Sequence, residues 1–303
     1  MGQAVVSSEG YHVVAPATVA ARESGVSMLR LGILVALWLI VIPHVPADVD
    51  SGETTGSPLP ARYARKFSLN EPMYFSVGWR ETGNARFQIS FRYRFVGSDD
   101  PEQGSDALAS HLYFAYTQTS LWDIGSQSAP FRDTSYRPSL FFFRSDLGQH
   151  WFGARQCGIQ AGVEHESNGR ADAASRSVNT IFVRPMLAWG DRRQYVWTFA
   201  PKVWIYVGDL SDNPNIADYR GWAELLLKVE KRGSWGFSLI GRKGSRRPYG
   251  SIEFNASYPL DRLLAGRFDS YLHFQYFAGW GESLLDYDVK RASQLRIGLM
   301  LVR

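Results

Sequence analysis

Apolar and polar residues alternate in segments of about ten residues along positions 67–303. Successive side chains of a β-strand point to opposite faces, so each segment predicts a strand with one apolar and one polar face. A helical period fits none of these segments better. The clearest example is Arg86–Phe95, in which Phe, Ile and Tyr alternate with Arg, Gln and Ser. The pattern predicts twelve strands: 69–78, 86–97, 108–119, 136–144, 155–166, 177–187, 194–207, 219–231, 234–242, 248–258, 268–279 and 291–302.

An even number of such strands predicts an all-β fold, a twelve-stranded antiparallel transmembrane β-barrel. The chain contains 18 Phe, 15 Tyr and 10 Trp, and barrels concentrate aromatic residues at the two membrane interfaces. The alternative is a soluble secreted β-sandwich, whose strands also alternate. An apolar face in nearly every segment favours the barrel, as do the aromatic residues near segment ends. These are Trp79, Trp122, Trp189, Trp222 and Trp280.

The N-terminal part has the features of a secretory signal. Arg30 precedes the apolar run Leu31–Pro43, and Val45-Pro46-Ala47 offers small residues for cleavage. A membrane anchor is the alternative, but the run is short for a helix that spans a bilayer. We therefore expect an upstream extension and signal peptide over 1–47, a flexible mature N-terminus over 48–66, and the barrel over 67–303. Export and a barrel together predict the outer membrane.

Charge and cysteine content narrow the function classes. The formal net charge is +4, and the Arg residues are scattered through the alternating segments and form no basic patch. This distribution argues against a nucleic-acid partner. The single cysteine, Cys157, cannot form an intrachain disulfide.

His165 and Ser167 lie two residues apart at the end of a predicted strand. Reading back from His165 by twos gives only apolar residues, so both polar side chains belong to the apolar face. Asn179 begins the next strand in the same way, since Ile181 and Val183 follow it on one face. Two antiparallel strands joined by the loop 168–176 would bring the three side chains together on the apolar wall.

A serine hydroxyl becomes a useful nucleophile when a neighbouring base takes its proton. His165 can be that base for Ser167. Asn179 can orient the imidazole through its side-chain carbonyl, as a neutral counterpart of the Asp in a serine triad. Chance proximity of three polar residues is the alternative, because residue types at fixed spacing are weak signals without structural context.

Several motifs resemble outer membrane phospholipase A. They are YTQTSLW (116–122), SAPFRDTSY (128–136), EHESNGRADAASRSVN (164–179), DNPNIADYRG (212–221) and GWGESLLDYD (279–288). They occur in the order found in that family. The resemblance implies a twelve-stranded barrel with Ser167 as nucleophile, His165 as general base and Asn179 as its orienting partner on the outer wall. It also implies that the Gly169 N–H is an oxyanion donor.

The resemblance further implies a calcium ion and an active homodimer that binds acyl chains between two barrels. The calcium ligands would be Ser175 through its hydroxyl and Arg170 through its carbonyl, with Ser128 contributed across the dimer interface. Asp172 and Asp212 resemble a second calcium site, and Gln118 matches a polar residue of the interface.

The sequence therefore predicts a calcium-dependent phospholipase A1/A2 of the outer membrane that hydrolyses acyl esters of glycerophospholipids. Its partners would be phospholipid substrate, outer membrane lipids and a second copy of the chain. Two alternatives stay open. One is a catalytically silent barrel, either a porin or a lipid-binding scaffold. The other is a lipid A deacylase, whose site can also have a His and a Ser two residues apart, although an acidic third member would be expected there.

Overall fold

The computed structural model describes residues 66–79, 83–96, 108–191, 194–264 and 269–303, and the predicted signal peptide and nearly all of the predicted flexible segment lie outside these ranges. The described residues form one antiparallel sheet of thirteen strands. The strands are β1 (Phe67–Ser68), β2 (Met73–Gly78), β3 (Asn84–Arg94), β4 (Leu112–Trp122), β5 (Phe131–Arg144), β6 (Gln156–Ser167), β7 (Ser177–Gly190), β8 (Val196–Val207), β9 (Ala223–Glu230), β10 (Gly236–Lys243), β11 (Gly250–Pro259), β12 (Tyr271–Gly279) and β13 (Arg291–Val302).

The sheet closes on itself because β2, the first long strand, pairs with β13, the last, while β3 pairs with both β2 and β4. The two-residue strand β1 pairs with β3 beyond the end of β2, so β1 and β2 flank β3 on the same side. They correspond to one predicted strand, 69–78, interrupted at residues 69–72. The result is a closed barrel of twelve strands, as predicted. No helix in the described ranges is long and apolar enough to cross a membrane.

Most predicted strands are correct within three residues, but three ends are wrong. Residues 108–111 form a 3-10 turn and not the start of a strand, because β4 begins at Leu112. The strand predicted from 219 begins at Ala223, since Ile216–Arg220 form a short helix, α1. β5 begins at Phe131, five residues before its predicted start. All three errors lie where a loop meets a strand, because the alternation of apolar and polar residues does not show at which residue the strand begins.

The alternation separates a lipid-facing exterior from a polar lumen. Outward side chains such as Val163, Ile181 and Leu295 are exposed and apolar. Inward side chains carry most of the charge in ion pairs. These are Arg86–Glu253 (2.7 Å), Arg137–Glu71 (2.7 Å), Lys202–Glu164 (3.0 Å), Arg220–Glu166 (3.0 Å), Arg242–Glu224 (2.7 Å) and Arg296–Glu282 (2.6 Å). Buried charges are tolerated when they are paired, which makes a filled polar lumen stable.

One lumenal opening is filled by α1 and by the loop 280–290. Leu284 of this loop is fully buried and packs in one core cluster with Ile216, Tyr287 and Val178. Val178 immediately precedes Asn179 on β7 and faces the opposite side of the wall. An apolar core therefore lies inside the barrel directly behind the candidate site.

Cys157, the single cysteine of the chain, is buried. Cys157 pairs with Leu187 in β7, and its backbone carbonyl accepts a hydrogen bond from the N–H of Leu147 at 2.7 Å. The residue therefore lies at the start of β6, where the loop 145–155 returns to the sheet.

Gly162, on β6, allows close approach of the neighbouring strand β5. A Cβ at this position would collide with the carbonyl oxygen of Leu140 and with Cβ of Phe141. We expect Gly162→Ala to lower the free energy of unfolding by about 1–3 kcal/mol, the usual cost of overpacking. Urea unfolding of the refolded barrel in detergent measures this loss.

Gly241→Ala is the matched control, because a Cβ there meets nothing within 4 Å. We expect its unfolding free energy to stay within about 0.5 kcal/mol of the parent value. Equal effects at the two glycines would show that the clash at Gly162 is absent.

Candidate active site

His165 and Asn179 are direct partners across β6 and β7. Nδ1 of His165 and Oδ1 of Asn179 are 2.8 Å apart. An amide oxygen can only accept, so Nδ1 carries the proton and donates it to Asn179. The other ring nitrogen, Nε2, then has a free lone pair. This hydrogen bond fixes the ring orientation and the tautomer that a general base requires.

The pair stands on the outer wall of the barrel. Asn179 is exposed, and along the same face follow Ile181 and Val183, with 45% and 40% of their surface accessible. Val163, two residues before His165, is 49% accessible. A lumenal cavity of about 450 Å³ is lined by the alternating neighbours Glu164, Glu166 and Thr180, and by none of the three candidate residues. The two-residue period therefore predicted correctly that these three residues belong to the outward face.

Ser167 lies on the same face, at the last position of β6. Its hydroxyl forms no hydrogen bond with His165 in the described chain, so two members of the trio are joined and the third is only adjacent. A loose nucleophile–base contact is common before substrate binds. Ser167 pairs across the sheet with Tyr136, which in turn pairs with Gln118 on β4. Gln118 therefore lies two strands from Ser167 on the exterior.

Asn168 organises the loop 168–176, a role that spacing did not reveal. Its buried side chain donates to the carbonyl of Ala174 (2.9 Å) and accepts from the N–H groups of Arg170 (3.3 Å) and Arg176 (3.0 Å). Its own N–H donates to the carbonyl of Arg176 at 3.1 Å. One asparagine thus closes the loop across its base. The only signal in the sequence was an Asn immediately after the strand, a position that favours turns.

Gly169 follows with φ of +64°, a conformation that glycine adopts at little cost. A Cβ here would lie 3.0 Å from the ring of Tyr136. Its N–H donates to no other group in the described part of the chain. The amide is therefore free to donate to an oxygen beside Ser167.

Ser175 and Asp212, two of the predicted calcium ligands, are in direct contact. The Ser175 hydroxyl donates to a carboxylate oxygen of Asp212 at 3.1 Å, which joins the loop 168–176 to the loop after β8. Asp172 lies on the same exposed loop, with φ of +53°, and its carbonyl accepts the Ser175 N–H at 2.9 Å. The carbonyl of Arg170 accepts no hydrogen bond from the described residues. Hydroxyl, carboxylate and free carbonyl oxygens are the donors that calcium prefers.

The residues that could hold a cation do not form an acidic cage. Within the described ranges, no three His, Cys, Asp or Glu side chains gather in a way that could hold a metal ion. Asp209, beside this region, is held in a turn by the hydroxyl and the N–H of Ser211, and these hydrogen bonds keep the pKa of its carboxyl below the ordinary range. A calcium site here would depend mainly on neutral oxygens.

Ser128 lies in the turn between β4 and β5, with φ of +62°. This turn is at the same end of the barrel as the loop 168–176, since Arg170 donates to the carbonyl of Phe131 at 3.2 Å. No hydrogen bond joins Ser128 to Ser175 or Arg170 in the described part of the chain.

A second Ser–His–Asn set lies inside the lumen. The Ser76 hydroxyl is 2.8 Å from Nδ1 of His273, and Nε2 of His273 is 3.1 Å from Oδ1 of Asn255. Ser76 and His273 have no accessible surface. A lipid ester cannot reach this serine, so the set links three strands of the lumen and is not a second candidate site.

Comparison with known proteins agrees with this geometry. The sequence profile of the family described as Phospholipase A1 matches residues 59–301. A putative phospholipase A1 of Neisseria meningitidis is 33% identical over 230 residues, 74% of this chain. That alignment covers 56% of the Neisseria protein, so the chain spans little more than half the length of that relative.

Two solved structures share the fold. The outer membrane phospholipase dimer of Salmonella typhi with bound calcium superposes with a TM-score of 0.64 at 25% identity, over 82% of this chain and 94% of that one. An active-site Asn-to-Ala mutant of outer membrane phospholipase A from Escherichia coli gives a TM-score of 0.64 and 25% identity, with the same coverage. The barrel and these relatives fit a location in the outer membrane. The chain therefore belongs to the outer membrane phospholipase A family.

Proposed function

We propose that this protein hydrolyses acyl esters of glycerophospholipids at the outer wall of its barrel, with Ser167, His165 and Asn179 as the catalytic trio. The observation that carries the proposal is the 2.8 Å hydrogen bond between His165 and Asn179 on an apolar, outward-facing surface. Lipid substrates lie against that surface and not in the lumen. The names of the relatives support the same substrate class.

In the proposed reaction, Nε2 of His165 takes the Ser167 proton while Oγ attacks the ester carbonyl carbon. The tetrahedral intermediate then collapses, and the leaving alcohol of the lysophospholipid receives that proton from His165. Water attacks the acyl-serine in the same way, and the fatty acid departs with Ser167 restored. Asn179 keeps the imidazole oriented through both steps.

The developing oxyanion needs a hydrogen-bond donor, and the backbone N–H of Gly169 can be that donor. Its backbone is left-handed, and its N–H, two residues after Ser167, donates to no group among the described residues. A preorganised donor of this kind typically contributes about 3–4 kcal/mol of transition-state stabilisation.

Ser175 through its hydroxyl and Arg170 through its carbonyl would hold a calcium ion, with Ser128 supplied by a second copy of the chain. Asp172 and Asp212 would form a second, weaker site. A bound calcium ion would supply Lewis-acid stabilisation of negative charge on the carbonyl oxygen. The calcium-bound dimer of the Salmonella relative supports this part of the proposal.

Dimerisation through the same wall would complete the site. Gln118 faces outward between Tyr116 and Ser120, and hydrogen bonds of 3.0 and 3.3 Å join the three side chains. A polar row of this kind on a lipid-facing wall favours a partner that satisfies it, since lipid tails offer no hydrogen bonds. A second barrel placed there would also enclose a groove for an acyl chain beside Ser167.

Asn179→Ala tests the orienting role. Without the acceptor the imidazole can rotate, and we expect kcat for phospholipid hydrolysis to fall about 10- to 100-fold. Asn179→Asp is the matched control, because a carboxylate still accepts from Nδ1 of His165. We expect it to retain more activity than the Ala variant. Parental turnover by Asn179→Ala would rule out this function for the hydrogen bond.

A further inference from the structure

Asp133 connects two loops that are distant in sequence. Its carboxylate is buried at the start of β5, facing the lumen. One oxygen, Oδ2, accepts hydrogen bonds from the N–H groups of Leu284 (3.1 Å) and Leu285 (2.9 Å). The other, Oδ1, lies 3.9 Å from Nε of Arg170 and has no hydrogen-bond partner among the described residues. A single carboxylate thus touches the loop 280–290 and the loop 168–176.

Arg170 is held from the same side. Its Nη2 donates to the carbonyls of Phe131 and Arg132, the two residues that precede Asp133. Its side chain is 38% accessible, whereas that of Asp133 is 2% accessible. The guanidinium therefore rests over the start of β5 with its Nε directed towards a buried negative charge.

The loop 280–290 is itself firmly placed. Glu282 forms an ion pair with Arg296 at 2.6 Å, and Leu284 and Tyr287 belong to the core cluster that includes Val178. Two backbone N–H groups of this loop fix the carboxylate of Asp133. The position of Arg170 therefore depends on the packed interior of the barrel, through Asp133, as well as on its own exposed loop.

We propose that Asp133 is a positioning residue for the reaction at Ser167, acting through the guanidinium of Arg170. The inference rests on the proposed function, since Gly169 and the carbonyl of Arg170 belong to the loop that Asp133 holds. A buried carboxylate oxygen without a hydrogen bond favours a nearby cation strongly, so the contact restrains the loop. Release of Arg170 would displace the oxyanion donor and the calcium ligand together.

Asp133→Asn separates the two contacts. The amide oxygen can still accept from Leu284 and Leu285, while the amide NH₂ replaces the oxygen that faces Arg170. We expect kcat to fall, or the half-saturating calcium concentration to rise, by roughly 10- to 100-fold, the usual effect of removing a residue that orients a metal ligand. We also expect faster trypsin cleavage after Arg170, with or without calcium, because the restrained loop is released.

Arg170→Gln keeps the backbone carbonyl and removes the guanidinium, so it should reproduce the kinetic defect. The double variant Asp133→Asn/Arg170→Gln should be no worse than either single variant, because both remove one interaction. Glu224→Gln is the matched control. It also removes a lumenal carboxylate that is held in ion pairs, but Glu224 pairs with Arg184 and Arg242, away from the loop 168–176. Its kinetics, calcium dependence and trypsin pattern should match the parent.

The inference is wrong if Asp133→Asn retains parental kinetics and trypsin resistance, or if the two single effects add in the double variant. It is also wrong if Glu224→Gln gives the same defects, since any buried charge would then suffice. Failure of the proposed function has a different signature. The parent would then hydrolyse no phospholipid, while cleavage after Arg170 would still be faster in Asp133→Asn.

Discussion

Replacing Ser167 by Ala is expected to lower kcat for phospholipid hydrolysis by roughly 10⁴- to 10⁶-fold, the range found when a catalytic serine is removed from a triad. The hydroxyl lies on the outer wall at the end of β6, next to the His165–Asn179 pair. The measurement is release of fatty acid from phospholipid micelles by the refolded protein.

Ser76→Ala is the control that the structure itself provides. Ser76 also contacts a histidine that contacts an asparagine, but the set is sealed in the lumen. We expect Ser76→Ala to retain parental kcat, with any loss confined to stability. Loss of activity in Ser76→Ala together with retention in Ser167→Ala would move the site into the lumen and overturn the exterior account.

Removal of calcium is expected to have the second largest effect. Chelation with EGTA should lower kcat by roughly 10²- to 10³-fold, as expected for loss of one stabilising contact to the oxyanion. The candidate ligands are mainly neutral oxygens, of which the Ser175 hydroxyl already bonds to Asp212. We therefore expect a modest affinity, with activity restored by added calcium. Titration of calcium into the chelated protein measures both the loss and the recovery.

Ser175→Ala removes the hydroxyl and leaves the trio intact, so it should raise the calcium concentration needed for half-maximal activity. The unfolding transition of the barrel should be unchanged, because the loop is exposed. Full activity of the parent protein in EGTA would contradict the metal chemistry while leaving the trio untouched.

The sequence predicted the barrel because one physical constraint acts on every strand. A wall with lipid on one side and a charged lumen on the other requires a two-residue period, and Arg86–Phe95 follows it throughout. The same period placed His165, Ser167 and Asn179 outside and Glu164 and Glu166 inside. These positions depend only on the two-residue alternation along each strand, which can be read from the neighbouring residues alone.

Contacts between loops could not be predicted in this way. The helix α1 interrupts a segment whose residues also suited a strand, and its Arg220 reaches Glu166 across the lumen at 3.0 Å. Asp133 lies in the quoted motif SAPFRDTSY, yet nothing in its spacing indicates Leu284, which is 151 residues away in sequence. Such contacts depend on how the loops fold over the barrel mouth. The roles of the calcium ligands and of the trio remain predictions for this chain.

Covalent capture of the nucleophile distinguishes an exterior serine from a lumenal one. A long-chain alkylsulfonyl fluoride reacts with a serine that is activated by a neighbouring base and accessible to lipid. The labelled protein would be digested and the modified residue identified by mass spectrometry. We expect one adduct, on Ser167, that is lost in His165→Ala. An adduct on Ser76, or an unmodified Ser167 in protein that hydrolyses phospholipid, would contradict this expectation.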